Sequence, residues 1–99
     1  MHNVNGAGEL VERVPQARGD LTAYELDDEL VVYDPSSGHS FVLNATGRVI
    51  WSLCDGERSC DAIAAEVSAA YGVDAEVVLP DVVALVGELA EARLLVESA

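Results

Sequence analysis

Ninety-nine residues suffice for one small domain, and at that length only about two-thirds of the unfolded chain's surface can be buried, which leaves little room for an enclosed catalytic cleft. Eighteen acidic residues against five basic ones, every one of them arginine, give a formal net charge of -13, which opposes binding to nucleic-acid phosphates and to anionic membranes. No run approaches the roughly 18 apolar residues that span a bilayer, and residues 1–20 have neither the basic start nor the apolar core of a signal peptide, so a cytoplasmic protein is expected.

Met1 to Asp20 carries Asn, Gly, Gln and charges without sustained periodicity and reads as a flexible arm, from which Leu10-Val11 and Val14-Pro15 can touch the body of the domain. Leu21 to Leu26 then alternates weakly, and Glu29 to Tyr33 is rich in β-branched and aromatic residues. Asp27-Asp28 between them has the length of a tight hairpin loop. Asp34-Pro35-Ser36-Ser37-Gly38 is a second turn, with proline suited to its second position and glycine able to take positive φ, and His39 to Leu43 forms a third strand. The three strands make an antiparallel meander.

From Asn44 onward the hydrophobic period changes from two to about 3.6. Asn44 offers a side-chain oxygen to cap the first helix, Val49, Ile50 and Leu53 share one face with Trp51 beside them, and Asp55-Gly56 marks the stop. Ser59 is placed to cap a second helix from Cys60 to Tyr71, with Ile63, Ala64, Val67 and Ala70-Tyr71 as its apolar stripe and Gly72 as its end. Asp74 is placed to cap a third helix running to about Ala92, followed by Leu94-Leu95-Val96 as an apolar plug or a short strand. Pro80 interrupts this pattern, and predicts either a kink or a helix that starts late, after an irregular lead-in over Val77 to Leu79.

At 100° per residue, Val78, Val82, Leu85 and Leu89 form one stripe of the third helix, sufficient for core packing. A second stripe, Leu79, Val83, Val86 and Ala90, lies roughly 100° further round and must also be covered, by the sheet or by a partner. In a meander the third strand is an edge strand, so alternate backbone groups of His39 to Leu43 are left unpaired, and an extended peptide can add there.

Cys54 and Cys60, the only cysteines, have a spacing that fits neither a redox pair nor a zinc knuckle, and read as small core residues. His2 falls in the arm and His39 beside a turn, so no metal site is expected. Catalysis needs a nucleophile with a nearby base, and no motif places Cys54, Cys60, His39 and Ser59 together. The third helix also lacks the basic residues of a DNA-recognition helix.

Three stretches together, ELVVYDPSSGHSFVLN, LNATGRVIWSLCDG and DVVALVGELAEARLL, resemble the pyrroloquinoline quinone biosynthesis protein D (PqqD) family, over about Leu21 to Val96. The resemblance implies an α+β, winged helix-turn-helix-like fold, a three-stranded antiparallel sheet followed by three helices, as a peptide-recognition domain over 21–99, and the flexible arm over 1–20 lies outside it. It implies a non-catalytic peptide chaperone without a cofactor. Such a protein binds the leader of a ribosomally synthesised precursor peptide as a strand added at the third strand beside the third helix, and presents it to a modifying enzyme such as a radical-SAM enzyme or a lasso-type protease or cyclase. The residues expected to meet the peptide are His39, Ser40, Phe41, Val42 and Leu43 on the strand side and Leu79, Val82, Val83 and Val86 on the helix side. A monomer or weak dimer is expected, with no nucleic-acid or membrane partner. The alternative is an interaction module that binds a partner subunit in the same groove, without a leader peptide.

Overall fold

In a computed structural model, which describes residues 13–96, Asp27 takes a left-handed conformation (φ 58°) and closes a two-residue turn between β1 (Thr22–Leu26) and β2 (Glu29–Asp34). Aspartate tolerates that conformation better than most side chains do. The second turn is built by Asp34. Its carboxylate accepts from the Ser36 backbone N–H at 2.9 Å and from the Ser36 hydroxyl at 2.6 Å, and its carbonyl accepts from Gly38 N–H at 2.8 Å, so the chain returns as β3 (His39–Leu43). The sheet order is β1-β2-β3, antiparallel throughout, with Val32 opposite both Ala23 and Phe41.

Three helices follow: α1 (Ala45–Ser52), α2 (Cys60–Tyr71) and α3 (Ala75–Glu91). The α+β, winged helix-turn-helix-like architecture expected from the sequence is the one observed. Asn44 Oδ1 accepts from Gly47 N–H at 2.8 Å and Ser59 Oγ from Ala62 N–H at 3.1 Å, which satisfies one orphan donor at the start of α1 and of α2. Gly72 ends α2 in the left-handed conformation (φ 68°), its N–H donating to the Ser68 carbonyl at 2.9 Å.

One helix boundary differs from expectation, and one alternative left open by Pro80 is settled. Helix α1 ends at Ser52 rather than near Asp55-Gly56, because Leu53 N–H turns back to Ile50 O at 3.0 Å and tightens the last turn. Asp55 then folds a turn of its own, accepting from Glu57 N–H at 3.0 Å and Arg58 N–H at 3.2 Å, with Gly56 at φ 82°. Helix α3 starts at Ala75 and runs through Pro80, so there is no delayed start. Pro80 is exposed, as is Glu76, whose carbonyl the missing N–H would have served, so water can take that place. Asp74 sits at the N-cap of α3 but makes no side-chain capping bond.

The core lies between the inner face of the sheet and the helices, with Val32, Ile50, Ile63, Val67, Val82 and Leu89 at 2% exposure or less. Leu94 and Leu95 are buried as the apolar plug that their position suggests. Single-residue antiparallel bridges join Ala17 to Leu95 and Gln16 to Asp55.

That pairing corrects the expectation of a flexible arm for its last eight residues. Arg13 O accepts from Cys60 N–H at 2.9 Å, Pro15 O from Gly56 N–H at 3.0 Å and Gln16 O from Val96 N–H at 2.7 Å, while Arg18 N–H donates to Leu94 O at 3.0 Å. Residues 13–20 are therefore laid across the α1–α2 connection and the segment after α3. Leu10, Val11 and His2 lie outside the described residues. No helix among the described residues is long and apolar enough to cross a membrane.

Candidate functional site

The two-residue turn sets which strand faces which neighbour. Leu26 and Glu29 close it as a hydrogen-bonded pair, and bonding alternates along an antiparallel ladder, so Leu30, Val32 and Asp34 turn their backbone groups toward β3. Their partners Leu43, Phe41 and His39 are thereby engaged, which leaves the N–H and C=O groups of Ser40 and Val42 pointing out from the open edge of β3.

Beside this edge is a groove of about 460 Å³. Phe41, Val42, Leu43 and Asn44 form one wall, Thr46, Gly47 and Ile50 of α1 the end, and Asp81, Leu85 and Glu88 of α3 the other wall. Phe41 and Leu85 are half-buried, Leu43 and Ile50 lie beneath at 2% exposure, and Asp81 and Glu88 are exposed on the rim. Gly47 allows α1 to descend this closely. A Cβ there would stand 3.2 Å from Asn44 Oδ1 and 3.3 Å from Leu43 Cδ2, against the cap and the strand end together. The floor is apolar, the rim carries two carboxylates, and no cysteine, histidine or serine lines the groove. Such a surface can pair backbone and bury side chains.

The cysteines are elsewhere and inert. Cys54 donates to Ile50 O at 3.3 Å, and burial, with smaller contributions from Cys60 and Asp55, pushes its thiol up to about 12. Burial also raises the Cys60 thiol, and both are free. Both are buried, as read from the sequence. Among the described residues, no three His, Cys, Asp or Glu side chains come together in a group that could hold a metal ion.

Of the residues singled out from the sequence, Phe41, Val42 and Leu43 line the groove, while His39 and Ser40 are exposed on the same strand just before it. On α3, Val82 and Val86 are in the core at 0% and 1% exposure. Leu79 and Val83 are half-buried against the core and do not line the groove. Each is two residues from Asp81, about 200° of helical turn, and so on the opposite flank of α3. The groove is instead bordered by the edge of the first stripe, Leu85, with Asp81 four residues before it and Glu88 three after. That acid-apolar-acid spacing on one helical face was the available signal. Gly47 gave none by periodicity.

The model of a protein family described as coenzyme PQQ synthesis protein D (PqqD) matches residues 29–95, from the start of β2 to the bridge at Leu95. The chain belongs to the PqqD family. No curated protein matches it. Among solved structures, this PqqD-family chain is similar to TbiB1 in complex with the TbiA(beta) leader peptide, at 30% identity and a TM-score of 0.72, over 85% of this chain and 98% of that one. It shares the fold of lasso peptide synthetase B1 complexed with its leader peptide, at 24% identity and a TM-score of 0.72, over 86% and 100% of the two chains. It also shares the fold of the PqqD truncation of Methylobacterium extorquens PqqCD, described as a functional, stand-alone recognition element for ribosomally synthesised and post-translationally modified peptides. There the identity is 20% and the TM-score 0.73, over 88% and 93%.

Proposed function

We propose that this PqqD-family chain is a non-catalytic recognition domain for the leader of a ribosomally synthesised precursor peptide. The leader adds as a fourth strand at β3, sends alternate side chains into the groove between β3, α1 and α3, and is presented to a modifying enzyme of the radical-SAM or lasso protease-cyclase kind. One observation carries this reading: the unpaired backbone groups of Ser40 and Val42 lie along the strand that walls a groove with an apolar floor and an acidic rim. Similarity to TbiB1, whose structure contains a leader peptide, supports it. Each backbone bond to the added strand contributes only about 0.5 to 1.5 kcal/mol net, so side chains seated over Phe41 and Leu85 must supply most of the selectivity. His39, Ser40, Phe41, Val42 and Leu43 are the strand-side residues of this site. Leu85, with Asp81 and Glu88, serves the helix side. The buried Val82 and Val86 support the wall from behind, and Leu79 and Val83 brace the far flank of the same helix.

Titrating isotope-labelled protein with the leader of its cognate precursor peptide tests this reading. Amide resonances from Ser40 to Leu43 and of Leu85 should move together. Shifts confined to residues 13–20 or to α2 would overturn it.

A further inference from the structure

We infer that the groove selects an extended peptide carrying a basic-x-apolar-x-basic pattern, in which the central apolar side chain seats on Leu85 and the flanking cations face Asp81 and Glu88. This rests on the leader-binding reading of the same groove, and adds to it the chemistry of the segment that binds.

Charge comes first. The groove lining contains two carboxylates and no basic residue, and among the described residues neither Asp81 nor Glu88 has an ion-pair partner. The three arginines that form ion pairs do so away from it, Arg18 with Asp20 and Asp34, Arg48 with Glu25, and Arg58 with Asp55 and Glu66. The net charge of -13 adds a background field of the same sign. An acidic segment is repelled from this groove, and a basic one is drawn to it.

Spacing then gives the pattern. At about 1.5 Å of rise per residue, Leu85 stands about 6 Å and Glu88 about 10.5 Å along α3 from Asp81. For an extended peptide lying along α3, side chains on one face recur about every 6.7 Å, so three successive inward positions fall at about 0, 6.7 and 13 Å. The middle position matches Leu85. The outer one overshoots Glu88 by about 3 Å, within the reach of a lysine or arginine stem, which can lie along apolar surface while its charge meets the rim. The pattern is symmetric, so it holds for either direction of the added strand.

The test uses synthetic nine-residue peptides with blocked ends and the core Lys-Thr-Leu-Thr-Lys, compared with versions in which both lysines are glutamine, both are glutamate, or the leucine is serine. Binding to the full chain is followed through the amides of Ser40 to Leu43. The lysine peptide should bind roughly three- to tenfold more tightly than the glutamine peptide, as expected of two part-exposed ion pairs, and the glutamate and serine peptides should bind least. The lysine advantage should vanish in the double variant Asp81→Asn, Glu88→Gln, and on raising ionic strength from about 0.05 M to about 0.5 M. Lysine and glutamine peptides that bind equally, or an advantage that survives the double variant, would overturn the charge pattern and leave the groove reading intact. Failure of the lysine peptide to move β3 also overturns it, whereas the groove reading stands or falls with the cognate leader.

Discussion

The guanidinium of Arg18 donates to the Asp34 carboxylate at 3.0 Å, and so ties the segment before β1 to the turn that launches β3. The same guanidinium reaches Asp20 at 2.7 Å and the carbonyl of Arg93 at 2.7 Å. Asp34 is 4% exposed, so this contact and those from Ser36 replace the water it gave up. Arg18→Leu should therefore lower the urea unfolding midpoint more than Asp20→Asn does, since Asp20 stays exposed and solvated.

The acid limb of stability follows from the same carboxylate. Hydrogen bonds from Ser36, with a further contribution from Arg18, hold the folded Asp34 at about 2, below its ordinary 3.8. A group depressed on folding stabilises the protein fully above its unfolded value, and that stability is lost as the pH falls through the folded value. Unfolding midpoints should fall between about pH 4 and pH 2. In Asp34→Asn that fall should be shallower, with a lower plateau near neutrality. A slope unchanged in the variant would place the acid sensitivity elsewhere, Asp20 and Asp55 being the other carboxylates held below the usual range among the described residues.

Leu85→Ala and Leu79→Ala separate the two flanks of α3. Both leucines are half-buried, so each truncation should cost about 1 to 2 kcal/mol of stability by urea denaturation. Only Leu85→Ala should weaken leader binding, by roughly tenfold for the loss of an apolar anchor. Equal loss of affinity in both would return the peptide to the Leu79 flank.

Gly47→Ala sets helix propensity against crowding. Alanine favours the helix by about 1 kcal/mol, and disturbing the Asn44 cap costs a similar amount. Stability should therefore stay within about 1 kcal/mol of the parent protein. Peptide affinity should fall, because the new methyl enters the end of the groove.

Thiol labelling reports on the core. With the Cys54 thiol at about 12, almost no thiolate exists at neutral pH, and both cysteines are enclosed. Reaction with a disulfide reagent such as DTNB should proceed only as fast as the protein unfolds, and at the same rate for both.

The order and type of all six elements were readable from the sequence, because Asn44, Ser59 and Gly72 are local signals that act through the backbone within a few residues. The docking of residues 13–20 was legible only at Val14-Pro15, where Pro15 is buried and its carbonyl accepts from Gly56 N–H. The rest depends on isolated bridges at Gln16 and Ala17, whose side chains carry no periodic pattern. The strand side of the groove was legible because an edge strand follows from meander order. The helix side was not, because α3 has two apolar stripes of similar width, and which one borders β3 is a matter of how the helix is rolled in the tertiary fold. Leu85 falls at the seam between core and groove.

A strand edge as short as His39–Leu43 has a further consequence for a bound leader. Backbone pairing repeats every two residues, so the edge alone would accept a leader in several phases, each offset by about 6.7 Å. On the proposed reading of the groove, the fixed positions of Asp81, Leu85 and Glu88 would admit one phase and reject its neighbours. A leader bound in this way would make the domain a ruler, fixing how many residues of precursor extend from the sheet to the place where the enzyme acts.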